Sequence, residues 1–291
     1  MRRKHRSEPV KTRICFLILA TSLFAGAFLP LHAQIVADGA TNTLSNVTNT
    51  FTGDVIVGTN GSFTLLILSD NALLTNSVNG VIGRNDTANS NEVRLVSPSA
   101  RWFMGGSLFV GSNGAANRLV VSNGATVLAR SASTIGDGGS FGGHANGNSA
   151  TVSGPGSLWS NGLALVVGEL GFANRLEVND GGWVVSSNAV VGRSSFSPSN
   201  TVVVAGPGSV WSNRADVSLG GGALPLKQDD HVMFLNVQSK YILLLQWGCK
   251  TTSHLNNVPF TSSNDCAPLL PIRAWSPDIA DGRKISRATA C

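Results

Sequence analysis

Over most of the chain, apolar residues come in short runs that close on glycine and are separated by stretches rich in Ser, Thr and Asn. The pattern recurs as Val55-Ile-Val-Gly58, Val81-Ile-Gly83, Leu108-Phe-Val-Gly111, Thr134-Ile-Gly136, Leu165-Val-Val-Gly168, Val190-Val-Gly192 and Val217-Ser-Leu-Gly220. Such β-branched runs, bounded by turn residues, predict strands. The marking glycines stand 25, 28, 25, 32, 24 and 28 residues apart, and every second one falls 53, 53, 57, 56 or 52 residues on. The repeating unit is therefore a pair of rungs.

Leu165–Val184 lies over Leu108–Val127 without a gap, with eleven of twenty positions identical. The second half of each pair carries Gly154-Pro-Gly-Ser-Leu-Trp159 or Gly206-Pro-Gly-Ser-Val-Trp211, with Ser97-Pro-Ser-Ala-Arg-Trp102 as a degenerate copy. A rung of roughly 25 residues accommodates about three strands of five or six residues and their turns. Each period thus closes one coil, and seven coils stacked about 4.8 Å apart make a rod roughly 30 Å long.

The fold expected is all-β: a single-stranded β-helix, or β-solenoid, of about seven rungs over residues 34–222, with a poorly structured C-terminal tail. Alternating apolar positions in Leu119-Val-Val, Leu176-Glu-Val and Thr201-Val-Val-Val supply its interior. The glycine marks serve corners where the backbone needs positive φ or where rungs approach too closely for a Cβ. Asn91, Asn117, Asn148, Asn174 and Asn200 each precede the next strand of their rung and predict an internal or turn-edge amide ladder. Trp102, Trp159 and Trp211 read as a buried or half-buried stack pinning the turn to the coil. Contact with a glycan through their rings is the alternative.

Charge changes this picture only at the start of the chain. The net charge of +5 resides in residues 1–33, which carry six Lys/Arg against one Glu, whereas residues 34–291 carry fifteen charges of each sign. No basic groove for nucleic acid is visible there. The leader runs from a basic stretch through apolar Ile14–Leu29 to Pro30-Leu31-His32-Ala33. This layout predicts a signal peptide over residues 1–33 with cleavage before Gln34, hence export and no membrane span in the mature chain. Cys15 lies in that leader, and Cys249, Cys266 and Cys291 lie in the tail, so the coil is expected to hold together without disulfides.

Candidate chemistry is sparse. Between Gln34 and Gly222 there are ten Asp/Glu, which show no alignment in adjacent rungs, and one histidine, His144, in a glycine-rich loop. No nucleophile elbow, phosphate loop, zinc spacing or calcium-binding nonapeptide occurs. No catalytic residue, metal or other cofactor is expected, and the chain reads as non-catalytic.

Together, the V-x-G marks, the N-R-L strand entries and the G-P-G-S-x-W-x-N turns over residues 54–222 resemble the repeat family of bacterial type V secretion passengers and of proteins bearing a PEP-CTERM sorting signal. The resemblance implies an exported, surface-associated β-helical stalk or adhesin-like passenger. Its place would be the cell surface, outer membrane or extracellular space, its partners surface carbohydrate or cell-envelope components. The alternative is a carbohydrate-binding or polysaccharide-degrading β-helix protein. The family's C-terminal barrel is not expected within residues 223–291, which are too few for eight strands, and no Pro-Glu-Pro motif is read among them.

Residues 223–291 change character: Lys is missing from 34–226 and then appears at Lys227, Lys240, Lys250 and Lys284, while the repeat marks stop. Two readings of this atypical tail stand side by side, a truncation or frameshift product and a cap over the strand edges of the last rung. Tyr241–Trp247 is expected to form one strand.

Overall fold

The computed structural model describes residues 33–139 and 144–220, and beyond them four short strands within 231–262. Residues 1–32 of the signal peptide expected over 1–33, all four cysteines and most of residues 223–291 lie outside the described residues. Among the described residues, no helix is long and apolar enough to cross a membrane.

Each coil holds three strands. The first is β1 (Ala33–Gln34), β2 (Thr41–Ser45) and β3 (Thr48–Phe51); the second is β4 (Val55–Val57), β5 (Leu65–Ser69) and β6 (Leu73–Asn76). The third is β7 (Gly80–Ile82), β8 (Glu92–Leu95) and β9 (Arg101–Met104); the fourth is β10 (Leu108–Val110), β11 (Arg118–Ser122) and β12 (Thr126–Ala129). The fifth is β13 (Ser133–Ile135), β14 (Ser149–Ser153) and β15 (Leu158–Asn161). The sixth is β16 (Leu165–Val167), β17 (Arg175–Asn179) and β18 (Trp183–Ser186), and the seventh is β19 (Ala189–Val191), β20 (Thr201–Ala205) and β21 (Val210–Asn213).

Equivalent strands of successive coils pair in parallel and build three sheets: β1 to β19 in steps of three, continued by β22 (Val217–Leu219); β2 to β20; and β3 to β21. This is the β-solenoid of about seven turns that the glycine spacing predicts. The second sheet continues past the last repeat mark, because β23 (His231–Asn236) pairs in parallel with β20 and β24 (Tyr241–Gln246) runs antiparallel to β23. β25 (Thr251–Thr252) and β26 (Thr261–Ser262) form a separate antiparallel pair.

The interior follows alternation on the second sheet, where Leu66 and Leu68, Val93 and Leu95, Leu119 and Val121, and Leu176 and Val178 are all fully buried, and among the described residues only β20 buries three in a row. Closing the coil puts these against the first and third sheets, and one contiguous core runs along the axis.

Volume complementarity explains why the repeat spans two coils. On the first sheet the leading inward position reads Val55, Gly80, Leu108, Ser133, Leu165, Ala189 and Val217. On the third sheet the inward row reads Leu74, Trp102, Val127, Trp159, Val184 and Trp211. Every coil with a tryptophan therefore carries Gly, Ser or Ala across from it, and every coil with Leu or Val on one side carries Leu or Val on the other. A Cβ on Gly80 would fall 2.6 Å from Cζ2 of Trp102. A fixed cross-section filled to normal density permits only this alternation.

The turns between the second and third sheets alternate in step. In the fourth and sixth coils they are Asn123-Gly124 and Asp180-Gly181; in the fifth and seventh they are Gly154-Pro-Gly-Ser157 and Gly206-Pro-Gly-Ser209. The hydroxyl of Ser157 accepts the Gly124 N–H at 2.9 Å, and that of Ser209 accepts the Gly181 N–H at 3.1 Å. Each long turn thus staples the short turn of the preceding coil.

The asparagine row forms one buried ladder. Asn91 donates its backbone N–H (2.9 Å) and Nδ2 (3.0 Å) to Oδ1 of Asn117. Asn117 donates to Oδ1 of Asn148 at 2.7 and 3.2 Å, the Asn148 N–H to Asn174 at 2.8 Å, and Asn174 to Asn200 at 2.9 and 3.1 Å. All five side chains are fully buried. The glycine marks make room for it. All seven have φ between +68° and +79°. A Cβ on Gly58, Gly83, Gly111, Gly136 or Gly168 would lie 2.1 to 2.3 Å from the amide of Asn91, Asn117, Asn148, Asn174 or Asn200, respectively.

Candidate functional surfaces

Trp102, Trp159 and Trp211 are 0, 0 and 4 % exposed. The stacking alternative is corrected here: these rings are core, and a sugar cannot reach them. Only Trp102 has its indole N–H satisfied, by Oδ1 of Asn76 at 3.0 Å; Nε1 of Trp159 and of Trp211 has no partner. Among the described residues the exposed large aromatics are others: Phe63 and Phe196 at the corner between the first and second sheets, each 75 % exposed, Phe172 at the same corner, and Trp183 on the outside of the third sheet. Trp183 precedes the inward Val184, so strand alternation alone places it outside. Its Nε1 donates to the Gly208 carbonyl at 3.2 Å, which holds the ring against the sheet.

The residue after each of the first six mark glycines stands in a second row, Thr59, Arg84, Ser112, Asp137, Glu169 and Arg193, tied by backbone bonds such as Glu169 N to Gly136 O at 3.0 Å and Arg193 N to Gly168 O at 2.8 Å. Asp137 and Glu169 are thus equivalent residues of adjacent coils, against the expectation that no carboxylates align. Both carboxylates directly follow a mark glycine, so aligning the marks brings them into one row. Burial, then the charge of Glu169, pushes the Asp137 carboxyl above the usual range, and the Gly139 N–H only partly offsets this. Glu169 in turn pairs with Arg193 Nη1 at 3.0 Å.

Other outer-face charges are paired within the second sheet. Glu92 holds Arg94 at 2.8 Å and faces Arg118 Nε at 3.8 Å, and Glu177 holds Arg175. The hydrogen bond to Glu92, then its charge, raises the Arg94 pKa. Among the described residues, no group of three or more His, Cys, Asp and Glu is arranged to hold a metal ion.

The first coil ends in a cap. Asp38 accepts the N–H groups of Thr59, Asn60 and Gly61 at 2.9, 3.0 and 2.9 Å. In later coils the carbonyl of the preceding mark glycine takes this role for the first of these donors. Burial opposes the Asp38 charge, but the three donors outweigh it and hold the carboxyl below its usual range.

No protein-family model, curated protein or solved structure matches this chain. The resemblance to secretion-passenger repeats rests on the chain's own motifs.

Proposed function

We propose that this chain is an exported, surface-associated and non-catalytic rod, structural or adhesin-like, which presents its outer faces to carbohydrate or other envelope components. The observation that carries this reading is the division of labour between inside and outside. Complementary volumes fill the interior from the second coil to the seventh, while exposed or half-buried Ser, Thr, Asn and paired charges line the outside. Such a surface offers many weak, regularly spaced hydrogen bonds to an extended partner. In the native cell, the tagged chain is expected to begin at Gln34 and to be removed by protease added to intact cells. Retention of Met1 and full protection from protease would sink the proposal.

A second reading, polysaccharide degradation, is favoured by one pair. Asp137, whose carboxyl is pushed above the usual range, stands one coil from Glu169, which pairs with Arg193 at 3.0 Å, and two carboxyls in unlike surroundings are what an acid and its partner need. This reading expects release of reducing ends from a polysaccharide, abolished by Asp137→Asn and by Glu169→Gln alike. A native chain inert on neutral and acidic polysaccharides rules it out.

A further inference from the structure

Six Asn-Gly pairs occur among the described residues: Asn60-Gly61, Asn79-Gly80, Asn113-Gly114, Asn123-Gly124, Asn146-Gly147 and Asn161-Gly162. In an open chain such a pair is chemically unstable. The glycine nitrogen loses its proton and attacks Cγ of the asparagine; the N–Cγ bond forms, the Cγ–Nδ2 bond breaks, and the amide leaves as ammonia with a proton. Water then opens the succinimide to aspartate or isoaspartate. Glycine permits this best, because no side chain crowds the ring as it closes.

In the solenoid all six glycine nitrogens are engaged as donors. Gly80 donates to Ser107 O at 2.9 Å, Gly114 to Gly83 O at 3.3 Å, Gly147 to Phe172 O at 3.0 Å and Gly162 to Ala129 O at 2.9 Å. These acceptors are main-chain carbonyls of a neighbouring coil; the bonds of Gly80 and Gly162 lie in or beside paired strands, those of Gly114 and Gly147 in corner loops. The other two depend on a side chain: Gly61 on Asp38 Oδ2 at 2.9 Å and Gly124 on Ser157 Oγ at 2.9 Å. The Asp38 carboxylate holds three consecutive N–H groups, so its loop is locked several times over. Ser157 accepts only the Gly124 N–H, while its own hydroxyl donates to the Ser153 carbonyl at 2.7 Å. Asn123 is exposed, in a left-handed conformation with φ +56°, and its Nδ2 reaches the Val96 carbonyl at 3.2 Å.

We propose that Asn123 is a latent isoaspartate-forming site of this protein, and that Ser157, reaching across from the next coil, is the residue that holds it off. A hydroxyl anchored only within its own turn gives way by local opening of that turn, at lower cost than parting two paired strands. The two-coil repeat thereby acquires a chemical role, since the hydroxyl of the long turn keeps the short turn beside it intact.

The test is prolonged incubation of the full chain at mildly alkaline pH, with peptide mapping of amide-to-acid conversion at all six asparagines. The native chain is expected to convert Asn123 slowly, and Ser157→Ala to speed that site by about tenfold, the worth of one hydrogen bond, with Asn161 unchanged. Asn161 is the internal control, because its Gly162 amide is held by a backbone carbonyl. Equal acceleration at both sites, or none at Asn123, overturns the proposal. Amide exchange in the native chain tests it without a variant: Gly124 should be protected, yet less than Gly162. Exchange of Gly124 at the rate of an open chain refutes the idea.

Discussion

Gly111 and Asn148 occupy the same space from two successive coils: a Cβ on the glycine would lie 2.2 Å from Cγ of the asparagine. Asn148 cannot retreat, because its Oδ1 accepts both the N–H and the Nδ2 of Asn117. Gly111→Ala therefore incurs the strain of φ +75° as well as a clash, and about 3 kcal/mol of destabilisation is expected. At Gly147, also with positive φ but with nothing within 4 Å of the added carbon, alanine should cost only about 1 kcal/mol. Denaturant titration of the two variants separates clash from strain.

Asn117→Asp keeps the ladder's acceptor, loses the Nδ2 donor to Asn148 and introduces a carboxylate where the side chain is fully buried. The expected loss is several kcal/mol at neutral pH, about 3 or more, with partial recovery in acid as the carboxyl protonates. Equal loss at both pH values would show that the donor, and not the charge, decides.

Gly80 and Trp102 share one coil and one volume. Gly80→Leu is expected to overpack it and Trp102→Val to leave a cavity, each costing about 2 to 4 kcal/mol. Combined, they recreate the Leu108 and Val127 pairing of the next coil. A double-mutant cycle should recover at least about 2 kcal/mol of coupling; simple additivity would contradict volume complementarity as the basis of the two-coil period.

Indole N–H groups distinguish two equally buried tryptophans. Trp102→Phe strands the Oδ1 of Asn76, whereas Trp159→Phe removes a donor that had no partner. Trp102→Phe should cost about 1 kcal/mol more than Trp159→Phe, measured by chemical denaturation.

Acid stability should have two limbs that meet near the ordinary carboxyl value of 3.8. Asp38 is depressed, so its contribution is present above 3.8 and lost as pH falls through its folded value. Asp137 is raised, so its contribution is present below 3.8 and lost as pH rises through its folded value. Asp38→Asn should flatten the lower limb only, and Asp137→Asn the upper limb only, in thermal melts across the acid range.

The coil was legible because its punctuation is local. A glycine at the end of a β-branched run signals a corner whatever surrounds it, and the five asparagines before strands signal a ladder. Trp102, Trp159 and Trp211 also follow from alternation, which puts them inside. The Asp137 and Glu169 row follows the glycine marks, and the outward Trp183, one residue from an inward valine, follows from alternation, so both positions were legible although their burial and partners were not. The pairing of β23 with β20 was hidden, because it lies where the repeat marks have stopped.

The sequence by itself determined the period, the number of coils and the corners, because each depends on residues close along the chain. Only the tertiary structure decided what each coil does for its neighbour. Gly111 lies beneath Asn148 and Ser157 beside Gly124 across separations of 37 and 33 residues. Those contacts come into being when strands stack at the inter-strand spacing, and no local rule encodes them.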